Sequence, residues 1–229
     1  MAKRFYENVS VEERGSAFAV MLDAHELKTP AKKPMHVPTE ALAKLIAAEW
    51  QAQAEEIDPN SMPHMRLVST ALDRVAEDTA ETAEAFAAYV MSDLLCYRAE
   101  HPKKLVQKQA DSWDPLLQWA KARFDVSLAV TAGILPVEQP QENHSRFAAA
   151  AGEEPFRLTA LAHLAALLGS AILALALDEA HISPRQAYEL AFLDDLYQME
   201  DWGIDEEAQA RLDKIELEIA TVAGYLSAL

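Results

Sequence analysis

Three stretches of this chain set aromatic, amide and charged side chains at spacings suited to recognition or to buried polar chemistry. The first is Glu49-Trp50-Gln51-Ala52-Gln53. The second is Ser92-Asp93-Leu94-Leu95-Cys96-Tyr97-Arg98-Ala99-Glu100, continued by Gln109 and Trp113-Asp114-Pro115-Leu116-Leu117. The third is Tyr197-Gln198-Met199-Glu200-Asp201-Trp202-Gly203-Ile204-Asp205. On a helix, Asp93 and Tyr97 stand four apart and share a face. Arg98 lies beside that face, within reach of an ion pair inside a bundle. One reading is structural: Asp93, Tyr97, Arg98, Gln109 and Trp113 form a polar network that fixes helix register, while Trp50, Trp113 and Trp202 pack the core. The other is recognition, since Trp and Arg are the residue types of protein-binding hot spots. Gly203 can end a helix in the left-handed conformation and leave Trp202 and Glu200 on an exposed corner. Asp194, Asp195, Glu200, Asp201, Asp205, Glu206 and Glu207 crowd that corner. They form either a solvated face or a docking surface for a basic patch. The candidate partner-binding residues are therefore Glu200, Asp201, Trp202, Asp205 and Glu206.

Spacing selects no catalytic, cofactor-binding or metal-ligating residue. Asp178-Glu179-Ala180-His181 spells a helicase-type box, but that chemistry needs an upstream phosphate loop ending in Gly-Lys-Ser/Thr, and the sequence has none. No Gly-x-Gly-x-x-Gly fingerprint and no Gly-x-Ser-x-Gly elbow occur. The seven histidines, at 25, 36, 64, 101, 144, 163 and 181, form neither a His-Glu-x-x-His pair nor Glu-x-x-His pairs. His163 reads as a satisfied core histidine and Cys96 as a small buried apolar residue. Carboxylates are plentiful, so an acid/base pair or a metal site assembled only in three dimensions stays open as the enzymatic alternative.

The composition narrows the remaining classes. Of 229 residues, 20 are basic and 37 acidic, giving a net charge of −17, and 51% are hydrophobic. That suits a folded chain, not a disordered one. It argues against nucleic acid or anionic lipid as a partner, since both need clustered Lys and Arg. One cysteine excludes an internal disulfide framework. The N-terminus has no apolar run behind Lys3-Arg4, so no secretory signal is expected. Leu158 to Leu177 is 20 residues long without a formal charge. Thr159, His163, Gly169 and Ser170 interrupt it and acidic residues follow at once, which favours a buried helix over a membrane span.

These residues need elements to position them. Phe5–Val9 and Ser16–Leu22, joined at Arg14-Gly15, read as a hairpin, with short edge strands at Glu26–Thr29 and Pro34–Pro38. Thr39 is placed to cap a helix carrying Leu42, Leu45, Ile46 and Trp50. Further helices are expected over 64–76, 79–98, 104–124, 142–151, 156–179, 184–200 and 205–226. Ser183-Pro184-Arg185-Gln186 makes a capping start. Leu128–Ala132 is a lone strand candidate returning to the β unit. The fold class is α+β: a small N-terminal antiparallel β-containing domain with one helix, residues 1–60, packed on a larger all-α helical domain, residues 61–229. Charge is uneven, because residues 194–229 hold ten acidic and two basic residues.

With these motifs in order along nearly the whole chain, the sequence resembles the Atp-twelve family, assembly chaperones for the alpha subunit of the F-type ATP synthase catalytic head. The resemblance rests on Lys3-Arg4-Phe5-Tyr6, Leu22-Asp23, Leu27-Lys28-Thr29-Pro30-Ala31-Lys32, Glu49-Trp50-x-x-Gln53, Ile57-Asp58-Pro59 and Met62-Pro63. It continues through Asp93–Glu100, Gln109, Trp113–Leu117, Gly169-Ser170 and Gln198-x-Glu200-x-Trp202-Gly203-x-Asp205. It departs at Asp23-Ala24-His25, where a Gly-Arg-type turn is expected. The resemblance implies a chaperone without catalytic residues or cofactor, and a monomer is expected. It implies a site of action in the bacterial cytoplasm, or in the mitochondrial matrix for eukaryotic relatives. The implied partner is the free alpha subunit, whose apolar assembly interface would be shielded until the beta subunit displaces the chaperone.

Overall fold

Residue 15 is where the chain first reverses. In the computed structural model, which describes residues 2–133, 135–203 and 205–229, Trp202 by its backbone only, Gly15 sits at φ +65°. β1 is Ala2–Lys3, β2 is Val9–Arg14 and β3 is Ala17–Leu22, with Arg14 opposite Ala17 across a Gly15-Ser16 turn. Glycine at the first of two loop positions is the hairpin preference that matches strand twist. The hairpin therefore forms, but its first strand is Val9–Arg14 and not Phe5–Val9. Tyr6 anchors instead of pairing, while Phe5 is left largely exposed. The Tyr6 hydroxyl donates to the Trp50 carbonyl at 2.7 Å and its ring meets that of Trp50 edge-on at 5.6 Å.

β3 turns again at Asp23-Ala24 into β4, His25–Glu26. Asp23 takes φ +53°, a region Asp tolerates better than most residues. Its carboxylate accepts the N–H of Asn8 at 2.8 Å and of Glu7 at 3.2 Å, which holds its pKa below the usual value. The departure at Asp23-Ala24-His25 thus carries its own tether. β5, His36–Val37, pairs antiparallel with β3 beside β4, and β6, Glu56–Ile57, pairs antiparallel with β1. α1, Glu40–Gln51, starts where expected, with the Thr39 hydroxyl accepting from Leu42 N–H at 3.1 Å, and packs Leu42, Ala43, Ile46 and Trp50 inward against β2 and β3.

α2, Pro63–Asp73, has no cap of its own from Met62. Glu49 of α1 supplies one: its carboxylate accepts His64 N–H at 2.7 Å and Met65 N–H at 2.9 Å, and pairs with His64 Nδ1 at 2.7 Å. Gln53 braces the connecting loop, accepting Asp58 N–H at 2.7 Å and donating to the Ser61 hydroxyl at 3.0 Å. These elements belong to a compact unit made of residues 1–79, 154–160 and 224–229; Tyr225 donates to the Phe156 carbonyl within it.

The second unit comprises residues 80–153 and 161–223. Its elements are α3 Thr79–Ala88, β7 Tyr97–Arg98, α4 Lys103–Phe124, β8 Thr131–Ala132, α5 Gln141–Ala151, α6 Pro155–Leu168, α7 Ala171–Asp178, α8 Pro184–Ala191, α9 Leu193–Trp202 and α10 Glu206–Ser227. α3, α6 and α10 each continue from one unit into the other. Three expected long helices are broken. The 79–98 helix stops at Ala88, followed by 3-10 turns at Tyr89–Ser92 and Leu94–Cys96 with Asp93 extended between them. The 156–179 helix breaks at Gly169, φ +65°, and the 184–200 helix at Phe192. The strand candidate at 128–132 shrinks to β8 and pairs in parallel with β7, not with the N-terminal β unit. No described helix is long and apolar enough to cross a membrane.

The first two breaks meet. Every residue from Ala171 to Leu177 of α7 is buried, so its leading N–H groups have no water to turn to. Ser170 accepts Leu173 N–H at 3.0 Å. Asp93, with 0% of its surface exposed, accepts Ile172 N–H at 3.2 Å and Leu95 N–H at 3.1 Å, while Leu94 N–H donates to the Gly169 carbonyl at 3.0 Å. A helical Asp93 sharing a face with Tyr97 could not do this. Burial pushes the Asp93 carboxyl up to about 6, against hydrogen bonds from Ser170 and from the N–H groups of Leu95, Ile172 and Ala171 that favour the charged form.

Two outcomes follow for Asp93. Asp93→Ala should lower unfolding free energy by about 3 kcal/mol or more, because several buried donors lose their acceptor, as read by urea denaturation. Between the unfolded pKa of 3.8 and the folded value of about 6, the native chain binds more protons than the unfolded one. The Asp93 contribution is therefore largest at acid pH and falls by about 3 kcal/mol as pH rises through that window. The stability gap between wild type and Asp93→Asn should shrink across it, and a flat gap would contradict the buried carboxylate. Glu49→Gln turns one of two acceptors on the α2 terminus into a donor and should cost roughly 1–3 kcal/mol in the same measurement.

Candidate functional site

α4 is the beam on which the second unit's surface is built. Gln109, fully buried, accepts Ala99 N–H at 2.8 Å through its carbonyl and donates to the Asp194 carboxylate at 2.8 Å. One turn on, Trp113 donates its indole N–H to the Leu190 carbonyl at 3.0 Å. Arg98 lays its guanidinium 5.1 Å from the Trp113 ring centroid, donates to the Leu95 carbonyl at 3.0 Å and pairs with Asp114 at 2.8 Å. Of the five residues expected to form a polar network, Arg98, Gln109 and Trp113 thus gather on α4. Asp93 serves α7, and Tyr97 pairs with Thr131 as part of β7.

The acidic corner separates into residues with partners and residues facing water. Asp195 pairs with Arg211 at 3.0 Å, tying α9 to α10. Asp205 caps α10, accepting Glu207 N–H at 2.9 Å and Ala208 N–H at 3.2 Å. Asp201 bonds the Tyr197 phenol, whose pKa is raised first by burial and then by that carboxylate. Glu200 reaches Lys108 of α4 at 3.4 Å, with the glutamate mostly exposed and the lysine partly buried. Glu206 and Glu207 are exposed on the first turn of α10. The Trp202 side chain, and with it the anchor expected there, lies outside the described residues. Gly203 has φ +95° and ψ 167°, a positive φ but not the left-handed helical cap expected of it.

Beside Glu200 opens a groove of about 780 Å³, lined by α4, α8, α9 and the start of α10. Leu116 and Leu193 form buried floor, and Leu190, Leu196 and Met199 are half-exposed walls. Its charged rim is already engaged: Arg185 pairs with Glu189 at 2.7 Å and with Glu216 at 2.6 Å, and Lys108 with Glu200. The sequence reading missed this groove. Its one signal was the recurrence of Leu190, Leu193, Leu196 and Met199 every three residues, which looks like ordinary core until the break at Phe192 is known.

The other singled-out groups have structural occupations. Glu179 pairs with Arg123 at 2.8 Å, Ala180 turns at φ +54°, and the His181 ring stacks 4.8 Å from that of Trp119. His163 is satisfied but not core, being half-exposed and paired with Glu218 at 2.8 Å. Cys96 is fully buried and its thiol is pushed up to about 12 by burial, so it is no nucleophile near neutrality. Among the described residues no three His, Cys, Asp or Glu side chains come together as a metal site.

The comparisons with known proteins agree with one another. The family model described as ATP12 chaperone protein matches residues 3–121. The mitochondrial atp12 protein of Schizosaccharomyces pombe is 27% identical over 220 residues, covering 90% of this chain and 75% of that protein. The crystal structure of Atp12 from Paracoccus denitrificans superposes with TM-score 0.92 at 39% identity, covering 99% of this chain and 98% of that one. A point mutant of that same Paracoccus protein superposes with TM-score 0.93 at 39% identity, covering 99% and 97%. The Atu1473 protein of Agrobacterium tumefaciens gives 0.92 at 41% identity, covering 99% and 85%. Sequence and α+β fold together place this chain in the ATP12 chaperone family.

Proposed function

We propose that this chain binds the free alpha subunit of F-type ATP synthase, covers apolar surface destined for the beta subunit, and is displaced when the beta subunit arrives. The observation that carries the reading is family membership extending through the whole fold. A ring subunit held apart from its neighbours exposes large apolar interfaces, and such surface aggregates at ordinary concentrations. A binder that covers it need only bind less tightly than the final neighbour, so release requires no nucleotide hydrolysis. A net charge of −17 keeps unoccupied copies soluble and apart. The working unit in this reading is one chaperone to one client. The client meets the second unit at the corner formed by Glu200, Asp201, Trp202, Asp205 and Glu206. The rival enzymatic reading needs ionisable groups converging on a substrate, and the groove's charges instead pair with each other along its rim.

Purified alpha subunit, diluted under aggregating conditions, should scatter less light as this protein approaches equimolar amount. Added beta subunit should release the chaperone. Unchanged scattering would overturn the proposal. Glu200→Lys should weaken client binding several-fold while shifting the thermal midpoint by no more than about 3 °C, since an exposed pair contributes under ~1 kcal/mol. Asp205→Ala should lower the midpoint by about 2–4 °C through the lost cap. Asp205→Ser keeps a capping oxygen, so any binding loss it shows reports on the charge alone.

A further inference from the structure

Among the described residues, no side chain of its own unit fills the groove beside the acidic corner. Its floor is made of buried Leu116 and Leu193, and its walls are the half-exposed Leu190, Leu196 and Met199. Its lining comes from helices and the His181-Ile182 turn, with no strand among the described residues that line it, so an entering segment gains side-chain contact and no ladder of backbone bonds. Such a trough fits a helix presenting apolar residues at i, i+3, i+4 and i+7. Leu and Met walls adjust to differing apolar shapes, Met most readily. The two ends differ in charge. At one, Arg185 stands between Glu189 and Glu216 and is already matched. At the other, Glu200 meets Lys108, and Lys104 and Lys108 lie over the Tyr197 ring that Asp201 bonds. These two lysines face five carboxylates, since among the described residues Asp201, Asp205, Glu206 and Glu207 form no ion pair of their own. The potential at that end is negative and favours a positive partner.

We infer that this groove receives an amphipathic helix of the client polypeptide, apolar face down, with basic residues at the end that meets the Glu200 corner. The inference rests on the chaperone reading for the identity of the client, but not for the chemistry of the segment. It separates two roles on one surface: the groove supplies contact area, and the carboxylates set direction.

Ser112 lines the groove, and Cys96 is buried with its thiol raised by burial. A Ser112→Cys variant can therefore be labelled at one place with a polarity-sensitive maleimide dye. The probe is a synthetic helix of about 16 residues, with leucines at i, i+3, i+4 and i+7 and two lysines at one end; its controls carry glutamates there or scramble the leucines. A blue shift with the lysine peptide, at least tenfold tighter binding than with either control, and at least tenfold weakening by Leu196→Glu/Met199→Glu would support the inference. No shift, or equal affinity for all three peptides, would overturn it. Unaltered affinity in the double variant, with circular dichroism showing native helix, would do the same. A shift produced by a second copy of the chain, with dimer in sedimentation, would assign the groove to self-association and overturn it too. Alpha subunit is then tested against the unlabelled double variant. Binding lost there but kept by wild type supports the groove as client site. Equal binding to both removes the groove from the client interface and leaves the chaperone reading standing. Alpha subunit that binds neither protein, beside a peptide that does bind, overturns the chaperone reading and leaves the groove's preference intact.

Discussion

A helix buried on every side must find acceptors for its first N–H groups, and in this chain those acceptors come from a different part of the sequence. α7 runs through the middle of the second unit, packed against α4 and α8. Its N-terminus receives the Asp93 carboxylate from 79 positions earlier. Two breaks in regular structure exist to make that meeting: the extended backbone at Asp93, and the positive φ at Gly169. Burial lifts the Asp93 carboxyl, while the helix-terminal donors and the Ser170 hydroxyl pull it back. The ion is tolerated because the donors would be worse off without it. If α7 were not fixed, α4 and α8 would lose the surface they pack upon.

The same device recurs. Glu49 reaches across to the N-terminus of α2. Asp73 accepts the Thr29 hydroxyl at 2.6 Å and the Ala31 N–H at 3.1 Å, and Asp23 holds Glu7 and Asn8. In each case a carboxylate on one element satisfies backbone donors of another, contributing direction as well as energy. This accounts for stretches that looked rich in chemistry when read as sequence. Glu49-Trp50-x-x-Gln53 and Asp93–Arg98 carry acids, amides and aromatics because loops and helix ends need polar partners at fixed places, and no bond in a substrate has to be invoked.

That also explains which features the sequence disclosed. Local devices were legible: the Thr39 cap, the capping box of Ser183 and Gln186, the turn at Gly15, and the general run of helices. Each depends on residues within four positions of one another. The breaks at Asp93, Gly169 and Phe192 were not legible, because apolar periodicity continues across them and the reason to stop lies on a distant partner. His163 was misplaced for the converse reason: its neighbours are apolar, yet Glu218 of α10 draws it to the surface. The groove escaped notice because spacing tells which residues are apolar, and only packing tells which of them are left uncovered.

An apolar trough of this size is itself unstable against collapse, since closing it would bury Leu190, Leu196 and Met199 at roughly 25 cal/mol for each Å² removed from water. Two hydrogen bonds stand against that movement. Gln109 holds Asp194, and Trp113 holds the carbonyl of Leu190, so the ends of α8 and α9 are pinned to α4 at set heights. Sliding the walls inward would leave a buried amide and a buried indole N–H without partners, at ~1–3 kcal/mol each. The polar residues beneath the groove and the apolar residues lining it therefore belong to one arrangement. The former spend their hydrogen-bonding capacity on keeping the latter apart, which leaves a surface able to accept apolar side chains from elsewhere.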